Sequence, residues 1–276
     1  PPKNELTEAG TRELIGSVYR KFDEFPKAYD NLNKALAIRE KHPEDRKSLA
    51  TCLHNLAATY WWDGRYDKAE PLYQRSLAMR RELYKGDHAE IATSLTHLAA
   101  CRLRQGRVAE ARDLYTQALE SRRRLYKGDH EEVAQSLNNL AKAHLEAERY
   151  PEAEKLFTEA VDMIIRLKGE KYAGTASALQ NLATLLLERG DAEGARDAYQ
   201  RALRIRTEFF PQGHYAVATS LAGVAQAELA LGNAVEARRL ANEARGMYEA
   251  RNRTRHVEYA ECLQVLSQAT QAMDGP

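Results

Sequence analysis

Apolar and small side chains recur along this chain in a three–four rhythm. In "LATCLHNLAATYWW" the positions Leu49, Cys52, Leu53, Leu56, Ala57 and Tyr60 fall on one helical face. A break follows at "DGRY", and "DKAEPLYQRSLAMRREL" starts a second helical run. Gly64 suits the tight turn between the two, and Pro71 is expected early in the second helix, where a missing amide donor is tolerated. The pattern predicts a helical hairpin. Sliding the chain by 42 residues repeats it: Leu53, Leu95, Leu137, Leu179, Leu221 and Leu263 share one register, and Ala69, Ala111, Ala153, Ala195 and Ala237 share another.

Six hairpins are expected, at about 11–42, 47–86, 89–128, 131–170, 173–213 and 215–252, the first of them one residue off register. A final helix at 257–273 has no partner and is expected to cap the last core face. With no Ser/Gly/Pro-rich linker, residues 1–276 read as a single all-α domain.

The order of small and large positions, Leu56-Ala57, Tyr60, Gly64, Tyr66, Ala69, Tyr73, Ser76, resembles the tetratricopeptide repeat. "DHEEVAQSLNNLA" followed by "RYPEAEKLFTEAV" is similar to the 42-residue repeat of kinesin light chains. That resemblance implies a right-handed superhelical α-solenoid that binds proteins or peptides on a concave face. The chain departs from the kinesin pattern in lacking a proline after the loop histidine, where His-Ala, His-Glu and His-Tyr stand.

Composition narrows the function classes. Forty-one basic and forty acidic side chains leave a net charge of +1, which argues against nucleic acid as a partner. No apolar run is long enough for a membrane span. Three dispersed cysteines, Cys52, Cys101 and Cys262, suit a reducing, cytoplasmic location rather than a disulfide framework or a zinc site. The opening "PPKNELTEAG" lacks a secretory pattern, and the chain reads as a piece of a longer protein.

The repeated pentapeptide "YKGDH" (84–88 and 126–130) is the one stretch that suggests chemistry. Loops two helices apart stand about 20 Å from each other, so His88 and His130 cannot share a metal, and no third group completes a catalytic set. Gly86 and Gly128 read as helix stops, and Asp87 and Asp129 as acidic starts of the next helix. "SRRRLYK" reads as a solvated helix end, and the register of Tyr66, Tyr73, Tyr115, Phe157 and Tyr199 reads as core, as does His144. No catalytic residue, metal or cofactor is expected, and the chain is read as a non-enzyme.

Binding is expected on the first helix of each hairpin. The position before the Leu-Ala pair carries Asn55, His97, Asn139, Asn181 and Gly223. In the resembling peptide-binding arrays, asparagines there clamp a peptide main chain. An amide both donates and accepts, which suits that task. One turn earlier lie Thr51, Thr93, Gln135, Ser177 and Thr219. Trp62, Arg104 and Lys142 make the amino-terminal half basic and aromatic, and a peptide with acidic and aromatic residues is expected there; the later positions Glu146 and Glu188 are acidic. The reading is a peptide- or protein-binding scaffold, with self-association open. The alternative is a regulatory or oligomerisation module of a larger multidomain signalling protein.

Overall fold

A computed structural model describes residues 2–210, 214–250 and 257–274. The expected ends of the fifth and sixth hairpins, at 213 and 252, lie outside the described residues. Thirteen helices and no strand are found among the described residues. By internal contacts the chain divides into two compact units, one ending at Gly128 and one starting at Asp129.

The first unit holds α1 (Pro2–Lys21), α2 (Phe25–Glu40), α3 (Arg46–Trp62), α4 (Tyr66–Leu83), α5 (Ala89–Arg104) and α6 (Val108–Leu125), packed as α1·α2, α3·α4 and α5·α6. The first helix starts well before residue 11. The helical phase runs back through "PKNELTEAG", and Ala9 is fully buried in a cluster with Ala35 and Cys52. Small residues set the spacing between helices: Ala57 and Ala69 are both 0 % exposed, and Tyr73, one turn on from Ala69, is buried as well. Pro71 differs from expectation. It is the sixth residue of α4, more than a turn beyond the start, and is accommodated on the helix's exposed side.

The second unit holds α7 (Glu131–Leu145), α8 (Tyr150–Lys168), α9 (Ala173–Glu188), α10 (Ala192–Phe209), α11 (Tyr215–Ala230), α12 (Ala234–Ala250) and α13 (Val257–Asp274). Its last helix packs on α11 and α12, with Cys262 and Val265 joining the cluster that contains Leu221 and Tyr248. Leu263, although on the leucine register, is 37 % exposed.

Each hairpin turn needs one left-handed residue. Gly64 supplies it at φ +74°, and in the α7–α8 turn Glu148 adopts φ +55°, a conformation disfavoured for a residue with a Cβ.

The joints between hairpins differ from the expected arrangement. The residue that caps α5 is His88: its Nδ1 accepts the Glu90 amide at 3.2 Å. His130 and His214 cap α7 and α11 the same way, at 3.2 Å each. Asp87 and Asp129 stand one residue too early to reach these amides. They instead hold Arg124 and Arg166, each through bonds of 2.6 and 3.0 Å. At the first of these joints a tyrosine supports the histidine: the Tyr84 and His88 rings stack at 3.6 Å. Tyr172 has no ring nitrogen, and α9 accordingly starts with no side-chain cap. Replacing His130 with Ala is expected to destabilise the second unit by about 1 kcal/mol, the worth of an N-cap. Asp129→Ala, which breaks only an exposed ion pair, should change the urea midpoint far less.

Candidate functional site

In the first unit the expected binding positions lie on α3 and α5. Asn55 is half-buried, and its side chain makes no hydrogen bond among the described residues. The Thr51 hydroxyl donates to the Lys47 carbonyl at 3.0 Å, while Thr93 is half-buried on α5. His97 is drawn into packing. Its ring lies 4.6 Å from His54 and 5.8 Å from Tyr73, and Nδ1 sits 2.8 Å from the Thr93 carbonyl. Burial lowers the pKa of both imidazoles from the ordinary histidine value. At His54 the neighbouring His97 and Arg80 push further in the same direction, to about 2. Trp62 is 61 % exposed. The exposed Arg104 carries its guanidinium 5.9 Å over the Trp61 ring, so the cation meets the neighbouring tryptophan.

A second register was not read from the sequence. Arg80, Arg122, Ile164 and Arg206 follow one another at 42-residue steps on the second helices. Fourteen residues on stand Ser94, Ser136, Ala178 and Ser220. Arg80 is 5 % exposed and crosses to the next hairpin, donating to Ser94 Oγ at 2.6 Å and to the Glu90 carbonyl at 3.3 Å. In the second unit Arg206 repeats this, reaching Ser220 Oγ at 2.8 Å and the Ala216 carbonyl at 3.1 Å. Arg80 and Arg206 each fill the seam between two hairpins with a long side chain whose charge is hydrogen-bonded.

The joint between α8 and α9 lacks both members of this pair. With Ile164 and Ala178 in their places, a cavity of about 280 Å³ opens between α7, α8 and α9. Ile164, Leu167, Ala134 and Ala178 supply its apolar lining. At its polar side Asn181 Nδ2 donates to Asn138 Oδ1 at 2.8 Å. That leaves the Asn138 amide hydrogens and the Asn181 carbonyl oxygen available side by side. Gln135 and Ser177 also line it, and both are exposed. Gly174 is required here, because a Cβ would come within 2.5 Å of the Tyr172 ring.

Asn181, Gln135 and Ser177 therefore line one cavity. Asn139 does not join them: it is half-buried on α7 without a side-chain hydrogen bond among the described residues, and its neighbour Asn138 faces the cavity. Lys142 is exposed one turn further along α7.

Beside it lies a second cleft of about 350 Å³, between α9, α11 and α13. Gln180, Thr184 and the carboxylates of Glu188, Glu258 and Glu261 line it, with Tyr199 and Tyr248. Desolvation raises the Glu188 and Glu261 carboxyls above the usual range, and the charges of Glu146 on the first and Glu258 on the second add to it.

The three cysteines are buried thiols, pushed up to about 12 (Cys52) and about 11 (Cys101 and Cys262) chiefly by burial. Among the described residues no group of three or more His, Cys, Asp or Glu side chains converges on a metal position. No helix among them is long and apolar enough to cross a membrane.

The family model of the tetratricopeptide repeat matches residues 7–82, 48–124, 90–165 and 146–208. No curated protein sequence matches the chain. Solved structures are similar in fold. BtubC (BKLC) from P. vanneervenii is 23% identical, with 84% of this chain and 91% of that one covered and a TM-score of 0.67. A putative kinesin light chain of Podospora anserina with nearly identical repeats is 19% identical, covering 73% and 96%, with a TM-score of 0.64. The tetratricopeptide-sensor STAND protein PH0952 of Pyrococcus horikoshii is 15% identical, covering 99% of this chain and 38% of that one, with a TM-score of 0.69. At these identities the likeness shows the fold alone.

Proposed function

The chain belongs to the tetratricopeptide-repeat family, whose arrays generally mediate protein–protein interaction, and from that premise we propose that it is a non-enzymatic scaffold holding an extended peptide on the first helices of its hairpins. One observation carries the reading. Uncharged amide and hydroxyl side chains stand in register on these helices, and those of Asn55, Asn139, Gln135 and Ser177 make no hydrogen bond among the described residues. A strip of groups that each donate and accept matches the main chain of a strand-like ligand. In the first unit the exposed Trp62 and Arg104, with Thr51, Asn55 and Thr93, favour a segment carrying aromatic and acidic residues. His97 contributes there mainly by fixing the rings behind the strip.

The test is a proteome-peptide pull-down with the wild-type chain and with the Asn55→Ala/Asn139→Ala/Asn181→Ala variant. The variant should lose most of the specific peptides. Near-identical sets recovered by both would overturn the assignment. The second reading, a sensor or oligomerisation module of a longer signalling protein, draws on the STAND protein above, in which the matching array is 38% of the chain.

A further inference from the structure

We propose that the second unit selects peptides that carry an apolar side chain and, about three residues away, a lysine or arginine. This rests on the extended-peptide reading and specifies the ligand for one unit.

The first determinant is the cavity beneath Asn138 and Asn181. It exists because the arginine–serine pair that fills the equivalent seams at Arg80–Ser94 and Arg206–Ser220 is Ile164–Ala178 at this joint. Removing a charged side chain and its partner together leaves an apolar floor with no buried charge to satisfy. About 280 Å³ lies at the lower edge of small-ligand pockets, a size that suits one aliphatic or aromatic side chain. The free hydrogens of Asn138 and the free oxygen of Asn181 at its mouth offer a donor and an acceptor to the peptide unit bearing that side chain. The charged groups in its lining among the described residues, Lys168 and Glu131, pair with each other at 3.6 Å.

The second determinant is charge. Among the described residues, the adjoining cleft has Glu188, Glu258 and Glu261 in its lining and no lysine or arginine. Nearby Arg206 is already engaged by Gln180, Ser220 and the Ala216 carbonyl. A cationic side chain entering the cleft would relieve the mutual repulsion of the carboxylates and could bond the Tyr199 and Tyr248 hydroxyl oxygens, whereas an acidic one would add to the repulsion.

The third is spacing. One helix, α9, lines both sites, with Ala178 at the centre of its contribution to the first and Thr184 at the centre of its contribution to the second. Six helical residues rise about 9 Å. A strand-like peptide covers that distance in about three residues at roughly 3.3 Å each.

The probes are capped ten-residue peptide libraries with two fixed positions three residues apart: Leu/Lys, Leu/Glu and Ser/Lys, in both orders. Binding to the whole chain is read by fluorescence anisotropy. The Leu/Lys library should bind at least about tenfold more tightly than either of the others. Glu188→Gln/Glu261→Gln should erase the preference for Lys over Glu but keep that for Leu over Ser. Ile164→Arg/Ala178→Ser, which installs the residues found at the equivalent seams, should erase the preference for Leu; its thermal melt confirms that it folds. Equal binding of Leu/Lys and Leu/Glu, or preferences that persist in these variants, overturns the inference. If Asn138→Ala/Asn181→Ala still weakens every library, the extended-peptide reading survives that failure. If no library binds, or none responds to the asparagine changes, both fall.

Discussion

Arg80→Ala is expected to destabilise the amino-terminal unit by about 3 kcal/mol, the cost of breaking a buried charged interaction by removing one side. The side chain is 5 % exposed, and its removal strands the Ser94 hydroxyl and leaves the seam between α4 and α5 underpacked. Arg80 also lies 3.3 Å from a Glu90 carboxylate oxygen, so that carboxylate loses its buried counter-charge. Removing both partners should cost much less. Arg80→Ile/Ser94→Ala reproduces the Ile164–Ala178 pair that this chain already accommodates at another joint, and it should lie within about 1 kcal/mol of wild type. Urea unfolding of the two variants decides the matter. A double variant as unstable as Arg80→Ala would show that the charge itself, rather than its pairing, holds the seam.

Acidification from pH 7 to pH 5 is expected to cost the same unit about 2 kcal/mol through His54 alone. In the unfolded chain this imidazole takes up its proton near the ordinary value of 6.5; in the fold, burial holds it to about 2. Unfolding therefore binds a proton throughout the interval between these values. The stability is complete above the unfolded value and declines as pH falls towards the folded one. His97, lowered by the same burial, acts in the same direction. The groups facing His54 are His97, Arg80 and Arg20, each disfavouring a second positive charge, and the Tyr73 ring at 5.2 Å. His54→Gln cannot titrate, and its stability should fall visibly less over the interval. Parallel pH slopes for wild type and His54→Gln would contradict the assignment.

The helical hairpins were legible because their determinant is local and repeated. A 42-residue step returns the same small residue to the same close approach, so Ala57, Ala69 and Tyr73 need no tertiary knowledge to be placed. The joints were less so. Aspartate is a common helix cap, and only the backbone shows that His88 and His130 sit at the capping position while Asp87 and Asp129 reach sideways to arginines. At the candidate site, Asn181, Gln135 and Ser177 stand in the expected registers and line the cavity, whereas Asn138 belongs to neither register. Consecutive helical residues differ by about 100° in direction, and the stagger between α7 and α9, invisible in one hairpin's pattern, brings Asn138 rather than Asn139 to Asn181. The cavity was encoded as an exception, Ile164 and Ala178 breaking an arginine–serine register, and an exception is noticed only once the rule has a structural meaning.

The central claim is that these helices read a peptide through its main chain. The direct measurement compares the affinity of a peptide recovered in the pull-down with that of its analogues N-methylated at single backbone positions. Methylation removes an amide donor without altering a side chain. Loss of at least about tenfold in affinity at the positions facing the asparagine strip, and little change elsewhere, is the predicted result. Uniform affinity across all the methylated analogues would contradict the account.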